Sequence, residues 1–291
     1  MRTCADGRFL GRHQSVARSE NKGEFEMVFR VQTNLLAALL LAGVQMGVSS
    51  SSQAAPKKTP ANAVASVVFV HGAWADGSSW SKVIPLLQAK GLHVVAVQIP
   101  LTSLADDVAA TKRAIALQDS PVVLVGHSYG GAVITEAGND PKVIGLIYVA
   151  AFAPGDGESV VSISKPYPPA PLGAELRPDA QGFLSITPKG IAEDFAQDLP
   201  KTEKEVLTAT QGPTNGAAFG AAVTTAAWKT KPSWFVIASN DRAIPPDLEK
   251  AEAVRMKATA ITLASSHLAM LSHPTEVAEL IAKAAIGASQ H

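Results

Sequence analysis

The sequence predicts an α/β protein: a mostly parallel, twisted sheet with helices on both faces and one inserted helical segment. Three observations carry that expectation. Short apolar runs rich in β-branched residues alternate with helical stretches of about ten residues or more, the pattern of a parallel sheet covered on both sides. One such run, Pro121 to Val125, leads directly into Gly126-His127-Ser128-Tyr129-Gly130 and a further helical stretch. The alternation breaks once, between Gly155 and Lys231, and then resumes.

Taken in order, Ser66 to Val70 reads as a buried strand that ends at His71-Gly72-Ala73-Trp74. Ser78 or Ser79 is the expected cap of a helix through Leu87, with Gly91 as its stop. His93 to Ile99 is the next strand, and Ser103 opens a helix over Leu104 to Leu117. The run at 121–125 follows, then a helix from Ala132 to Ala137 and a strand from Val143 to Phe152. Six prolines between 154 and 178 make the first part of the insertion irregular. Its second part reads as short helices, one starting at Thr187-Pro188 and one at a Thr202-x-x-Glu205 capping box. A segment of this length is expected to lie as a lid over the carboxyl edge of the sheet. The regular pattern returns with a strand at Ser233 to Ala238, a helix from Pro245 or Pro246 to Met256, a strand at Ala260 to Ala264, and a last helix from Pro274 to Ala285.

Strand, tight turn and helix is the setting in which Gly-x-Ser-x-Gly places a nucleophile. Side chains at 126 or 130 would collide with neighbouring backbone, and the serine between them occupies a strained position. The turn lifts the Ser128 hydroxyl above the sheet edge and leaves the Tyr129 N–H at a helix N-terminus, where negative charge is favoured.

Composition narrows the classes. The 291 residues are 47% hydrophobic, with 25 basic against 25 acidic side chains, so there is no basic footprint for nucleic acid. The single cysteine, Cys4, permits no intrachain disulfide. Residues 1–26 are polar and patternless, expected as a disordered or misassigned extension. Residues 27–54 carry Arg30, a short apolar core from Leu35 to Val44 and small residues ending at Ala54, the pattern of a cleaved export signal. That core is too short and too interrupted for a membrane span, so the exported chain is expected to make no stable membrane insertion. The oligomeric state is left open.

A serine hydroxyl needs an adjacent base, and the base needs an orienting acid. In a parallel sheet both come from loops after strand carboxyl ends. His267 and Asp241 follow the last two strands, in the order Ser, Asp, His expected for this arrangement. Four other histidines compete. His71 reads as loop scaffolding, His127 points away from its neighbour Ser128, His93 begins a strand, and His273 sits against Pro274 at a helix start. Asp156 and Asp247 are the rivals of Asp241. Ala73 is the second candidate oxyanion donor beside Tyr129, with Trp74 its rival. Trp74, Phe152, Phe183, Phe195, Phe219 and Trp228 are candidate substrate contacts. The chemistry requires no metal and no organic cofactor.

The segments Val67-Val68-Phe69-Val70-His71-Gly72-Ala73-Trp74, Gly126 to Gly131, Asp241 and His267 to Pro274 together resemble the α/β-hydrolase superfamily. Within it they look most like the esterase and hydroxynitrile-lyase branch, which includes plant methylesterases. The resemblance spans about residues 64–286, giving a core over 64–154 and 231–286 and a lid insertion over 155–230. It implies Ser128, Asp241 and His267 as a triad and Ala73 and Tyr129 as oxyanion donors. Hydroxynitrile lyases of that branch typically carry threonine where Gly72 stands and lysine where Leu268 stands, and this chain has neither. The expectation is therefore a serine hydrolase for a small to medium, mostly apolar, neutral carboxylic ester. The alternatives are a hydroxynitrile-lyase-like or cofactor-free haloperoxidase activity on the same triad, and a ligand-binding protein on a hydrolase scaffold.

Overall fold

The computed structural model describes residues 65–288. The extension and export signal expected over residues 1–54 lie outside the described residues. The strands are β1 (Ser66–Val70), β2 (Val94–Val97), β3 (Val122–Ser128), β4 (Val143–Ala151), β5 (Leu176–Pro178), β6 (Phe183–Ile186), β7 (Thr214–Asn215), β8 (Ser233–Ala238) and β9 (Thr259–Leu263). Six of them form one sheet in the order β2-β1-β3-β4-β8-β9, with every neighbouring pair parallel. The central strands β1 and β3 are buried at every residue, as continuous apolar runs covered on both faces require. Edge strands β2 and β9 are partly open.

The helices pack in two groups against the central strands. Leu104–Ala116 packs with Gly130–Ala137, and Ile84–Gln88 packs with Pro274–Ala288. Ser103 caps the first of these by accepting the Asp106 N–H at 3.1 Å. The helix expected after Ser78 or Ser79 is instead a short 3-10 turn, Gly77–Trp80, followed by Ile84–Gln88. Its cap is Asp76, whose carboxylate takes the Ser78 N–H at 2.6 Å and outcompetes a hydroxyl for that donor. Trp80 then lies fully buried, stacked on Phe69 with ring centroids 4.3 Å apart.

The insertion differs from a run of short helices. It carries an antiparallel sheet in the order β5-β6-β7, hidden in the sequence because its strands are only two to four residues long. Thr187 does cap a turn at Pro188, accepting the Gly190 N–H at 3.0 Å. The Thr202 capping box does not form. That helix runs over Lys201–Thr210 with Pro200 at its cap position. Glu205 faces Lys201 at 3.7 Å instead of folding back on the helix start. Among the described residues no helix is long and apolar enough to cross a membrane.

Because all six core strands run the same way, their carboxyl ends share one edge. The turns after β1, β3, β8 and β9 therefore deliver residues 71–74, 128–129, 241 and 267 to the same side of the molecule.

Candidate active site

Ser128 has a φ of 54°, a left-handed conformation that costs a non-glycine residue about 1–2 kcal/mol. The surrounding glycines make that turn possible. A Cβ on Gly126 would stand 2.6 Å from the Gly130 carbonyl oxygen, and one on Gly130 would stand 2.7 Å from the Val70 carbonyl oxygen. The backbones of β1, the turn and the following helix thus meet closer than any side chain permits.

His267 lies 26 residues after Asp241, and the two meet in a buried pair. His267 Nδ1 stands 2.6 Å from Asp241 Oδ2. Asp241 Oδ1 accepts the Ala243 and Ile244 N–H groups at 2.7 and 2.8 Å, which fixes the carboxylate plane. With Nδ1 donating to Asp241, the lone pair belongs on His267 Nε2, which is buried and has no hydrogen-bond partner. Ser128 and His267 line the same cavity, of ≈ 240 Å³.

Four groups hold these loops: His127, and three that the sequence reading did not single out, Asp194, Gln197 and Asp198. His127 Nε2 donates to the His267 carbonyl oxygen at 3.0 Å, and the two rings lie 4.6 Å apart. Burial, then the neighbouring His267, lower the His127 pKa well below the ordinary value, so the ring is a neutral spacer. Its packing on the second histidine has no local sequence signal. Asp198 accepts the Ser266 N–H at 2.7 Å, and Gln197 donates to the Asn240 carbonyl at 2.7 Å. Asp194 pairs with Arg242 at 2.6 Å. The insertion therefore pins the loops that carry both Asp241 and His267.

On the opposite wall, His71 donates from Nδ1 to the Gly72 carbonyl at 2.9 Å and accepts the Ile99 N–H on Nε2 at 3.1 Å. Burial lowers its pKa, which suits a neutral ring that both donates and accepts. This is the scaffolding expected of it. The Trp74 N–H is engaged by Thr214 Oγ1 at 3.1 Å, so Trp74 is a poor oxyanion donor. Among the described residues no hydrogen-bond acceptor engages the N–H of Ala73 or Tyr129. The Tyr129 ring is anchored from below, its hydroxyl donating to Asp107 at 2.8 Å. Burial, then the charge of Asp107, push that phenol well above its usual pKa, so it stays a donor.

Of the six candidate substrate contacts, Trp74, Phe152 and Phe219 line the cavity with Ser128 and His267. Phe195 does not; it is buried, with its ring 5.1 Å from His267 and 6.4 Å from Trp74. Phe183 belongs to β6, away from the cavity lining. Trp228 is held just past the end of β4, donating to the Pro154 carbonyl at 3.0 Å with Arg255 over its ring at 5.2 Å. Expected as substrate contacts, none of these three lines the cavity; Phe195 and Trp228 pack on the core instead. The rivals for the acid lie elsewhere too: Asp156 is paired with Lys229 at 2.8 Å and Asp247 with Lys250 at 3.0 Å. His93 meets Ser66 Oγ at 3.3 Å, and His273 meets Ser272 Oγ at 2.9 Å. Among the described residues no group of three or more His, Cys, Asp and Glu side chains is arranged to hold a metal ion.

The model of the alpha/beta hydrolase family matches residues 67–280, most of the chain. The chain belongs to the alpha/beta hydrolase family. As a member of it, the protein is similar to the carbendazim hydrolyzing esterase of Nocardioides sp. (strain SG-4G), 33% identical over 36% of this chain and 50% of that one. The chain thus matches only half the length of that relative. Among solved structures, the pyrethroid hydrolase from Sphingobium faniae JZ-2 superimposes with a TM-score of 0.67 at 21% identity, covering 79% of this hydrolase and 100% of that chain. A methylesterase from Arabidopsis gives 0.63 at 21%, covering 76% and 98%. At such identities these likenesses show the fold alone.

Proposed function

We propose that this hydrolase cleaves a small to medium, mostly apolar and neutral carboxylic ester through an acyl-enzyme on Ser128. The carrying observation is the buried His267–Asp241 pair, with an unpartnered Nε2, in the cavity that also holds Ser128. In the proposed course, Ser128 Oγ loses its proton to His267 Nε2 and bonds to the ester carbonyl carbon. The Ala73 and Tyr129 N–H groups hold the resulting oxyanion. His267 passes the proton to the alkoxy oxygen as the C–O bond breaks and the alcohol leaves. Water then gives a proton to His267 and its oxygen to the acyl carbon, and Ser128 regains a proton as the acid departs. Among the described residues no hydrogen bond joins Ser128 to His267 Nε2, and catalytic contacts of this kind tighten in the substrate complex.

The cavity favours the apolar, neutral substrate. Trp74, Phe152, Leu172, Leu176, Phe219 and Ile244 dominate its lining, and among the described residues no Lys, Arg, Asp or Glu joins them. The relatives named for esters point the same way. The lyase alternative loses ground on geometry. A Cβ at position 72 would stand 2.7 Å from Ser128 Cβ, leaving no room for a threonine hydroxyl, and Leu268 is buried and apolar.

The test is a fluorophosphonate probe with a panel of 4-nitrophenyl esters of graded acyl length. Labelling at Ser128 and loss of about 10³-fold or more in kcat in Ser128→Ala are expected. Hydrolysis undiminished in Ser128→Ala refutes the reading. We also propose, from the 27–54 segment alone, that the chain is exported. Recovery of the full-length, unprocessed chain only from the cell interior would refute that.

A further inference from the structure

Beside Asp241 stands a buried group that the proposed mechanism leaves unused. Glu249 lies on the helix Pro246–Arg255 and has no solvent exposure. Its Oε2 accepts the Ala238 N–H from the end of β8 at 2.9 Å. Its Oε1 is buried with no N–H or O–H donor of another residue in reach. The polar side chain it does meet is the Asp241 carboxyl, within hydrogen-bonding contact.

Two ionised carboxylates in a dry site repel, and neither has a proton to share. A hydrogen bond between them requires that one be protonated. Asp241 is the poorer candidate, because it already accepts three hydrogens: from Ala243, from Ile244 and from His267 Nδ1. Those are the bonds an ionised carboxylate makes. The charged groups around Glu249 do not offset a second negative charge. Lys250, on the same helix, is half exposed and committed to Asp247 at 3.0 Å. His267 is reached only through Asp241. From β8 the facing group is the neutral Ala238 amide. Burial first, then the charge of Asp241, accordingly push the Glu249 carboxyl well above the usual range.

We propose that Glu249 stands as a neutral carboxylic acid donating a hydrogen bond to Asp241, and so acts as a positioning residue for the Asp241–His267 pair. The proposal rests on the role given to that pair above. A fourth donor spreads the negative charge of Asp241 over one more hydrogen bond. That keeps the shared proton on His267 Nδ1 and keeps Nε2 free for Ser128. The bond also holds the carboxylate, whose rotation would break its 2.6 Å contact with the imidazole. At high pH, ionisation of Glu249 replaces a donor by a second negative charge, and the pair is disturbed.

Glu249→Gln and Glu249→Leu separate this role from a structural one. A glutamine keeps both bonds, its oxygen for Ala238 and its amide for Asp241, but it cannot ionise. Infrared difference spectra, wild type minus Glu249→Gln, are expected at neutral pH to show a protonated-carboxyl C=O stretch that belongs to Glu249, because the contribution of the buried Glu252 cancels in the difference. With a 4-nitrophenyl ester, Glu249→Gln is expected to keep kcat within about threefold and to lose part of the alkaline fall in rate. Glu249→Leu is expected to lower kcat about ten- to a hundredfold at little-changed KM. Absence of that difference band overturns the protonation. Wild-type kcat and pH profile in Glu249→Leu, or an alkaline limb unchanged in Glu249→Gln, overturn the positioning role. Should Glu249→Leu fail to fold, the band and the Glu249→Gln profile decide alone. Ser128→Ala serves as the control for the underlying reading: activity surviving in it defeats the esterase mechanism, while the band still reports on Glu249.

Discussion

Replacing Asp241 by asparagine tests the role of the buried pair with almost no change of shape. An asparagine presents one oxygen and one NH₂, and the structure decides which faces which partner. If the NH₂ took the Oδ1 position it would meet the Ala243 and Ile244 N–H groups head-on, losing two bonds of 2.7 and 2.8 Å. Bonds to a charged acceptor are worth about 1.5–3 kcal/mol each, so that orientation costs several kcal/mol. With the oxygen there instead, the NH₂ faces His267 Nδ1, and the cost is only a change of tautomer. The imidazole then carries its proton on Nε2, the atom that has to accept one from Ser128. A wrong-tautomer base of this kind lowers kcat by about 10³- to 10⁴-fold, or about 4–5.5 kcal/mol of barrier. The assay is kcat on a 4-nitrophenyl ester across the pH range, with circular dichroism and urea unfolding to show that the variant folds. A folded Asp241→Asn enzyme within tenfold of wild-type kcat would refute the assignment.

Further expectations follow from strain, space and burial. Ser128→Gly is expected to unfold at higher urea than Ser128→Ala, by about 1 kcal/mol, because both lose the hydroxyl but only alanine keeps a Cβ at a φ of 54°. Equal stability would mean that the elbow is unstrained. Gly72→Thr, whose Cβ would crowd Ser128 Cβ at 2.7 Å, is expected to destabilise by about 1–3 kcal/mol and to lose esterase activity. The appearance of cyanohydrin cleavage in that variant would contradict the geometric case against a lyase. Glu252 is buried, and desolvation pushes its carboxyl up to about 7 despite its contact with Arg255. A carboxyl raised in the folded state contributes stability that is full below its unfolded pKa and is lost as pH rises through about 7. Glu252→Gln is therefore expected to flatten the decline in urea-unfolding free energy between about pH 5 and pH 8, by up to about 3 kcal/mol. An unchanged slope would show that Arg255 compensates the charge.

Much of the core was legible because its signals are local. β-Branched apolar runs mark strands that are buried on both faces, and the observed β1 and β8 have the expected bounds while β3 and β4 fall within a few residues of theirs. Where local signals compete, the reading slipped: Asp76 displaced Ser78 and Ser79 as a cap, and Glu205 chose Lys201 over the helix start. The insertion was least legible, since strands of two to four residues have too few positions to show a period of two. Within the site, Asp241 and His267 could be singled out because they follow strand ends, a property of the topology. Which aromatic residues line the cavity had no such signal: Phe195 and Trp228 have the same composition signal whether they line a cavity or pack on a core.

The chain's own order of residues determined the parallel sheet, the strained turn at Ser128 and the shared edge at which Asp241 and His267 emerge. These depend on side-chain periodicity, glycine spacing and the direction of successive strands, all properties of neighbours along the chain. The folded packing alone decided which groups support them: His127 against a carbonyl 140 residues away, Asp198 on Ser266, and Glu249 against Asp241. Each of these is a bond between residues far apart in the chain, or a carboxyl whose behaviour depends on being dry. Burial and long-range contact arise only when the layers close, and they set the strength of charge in the site.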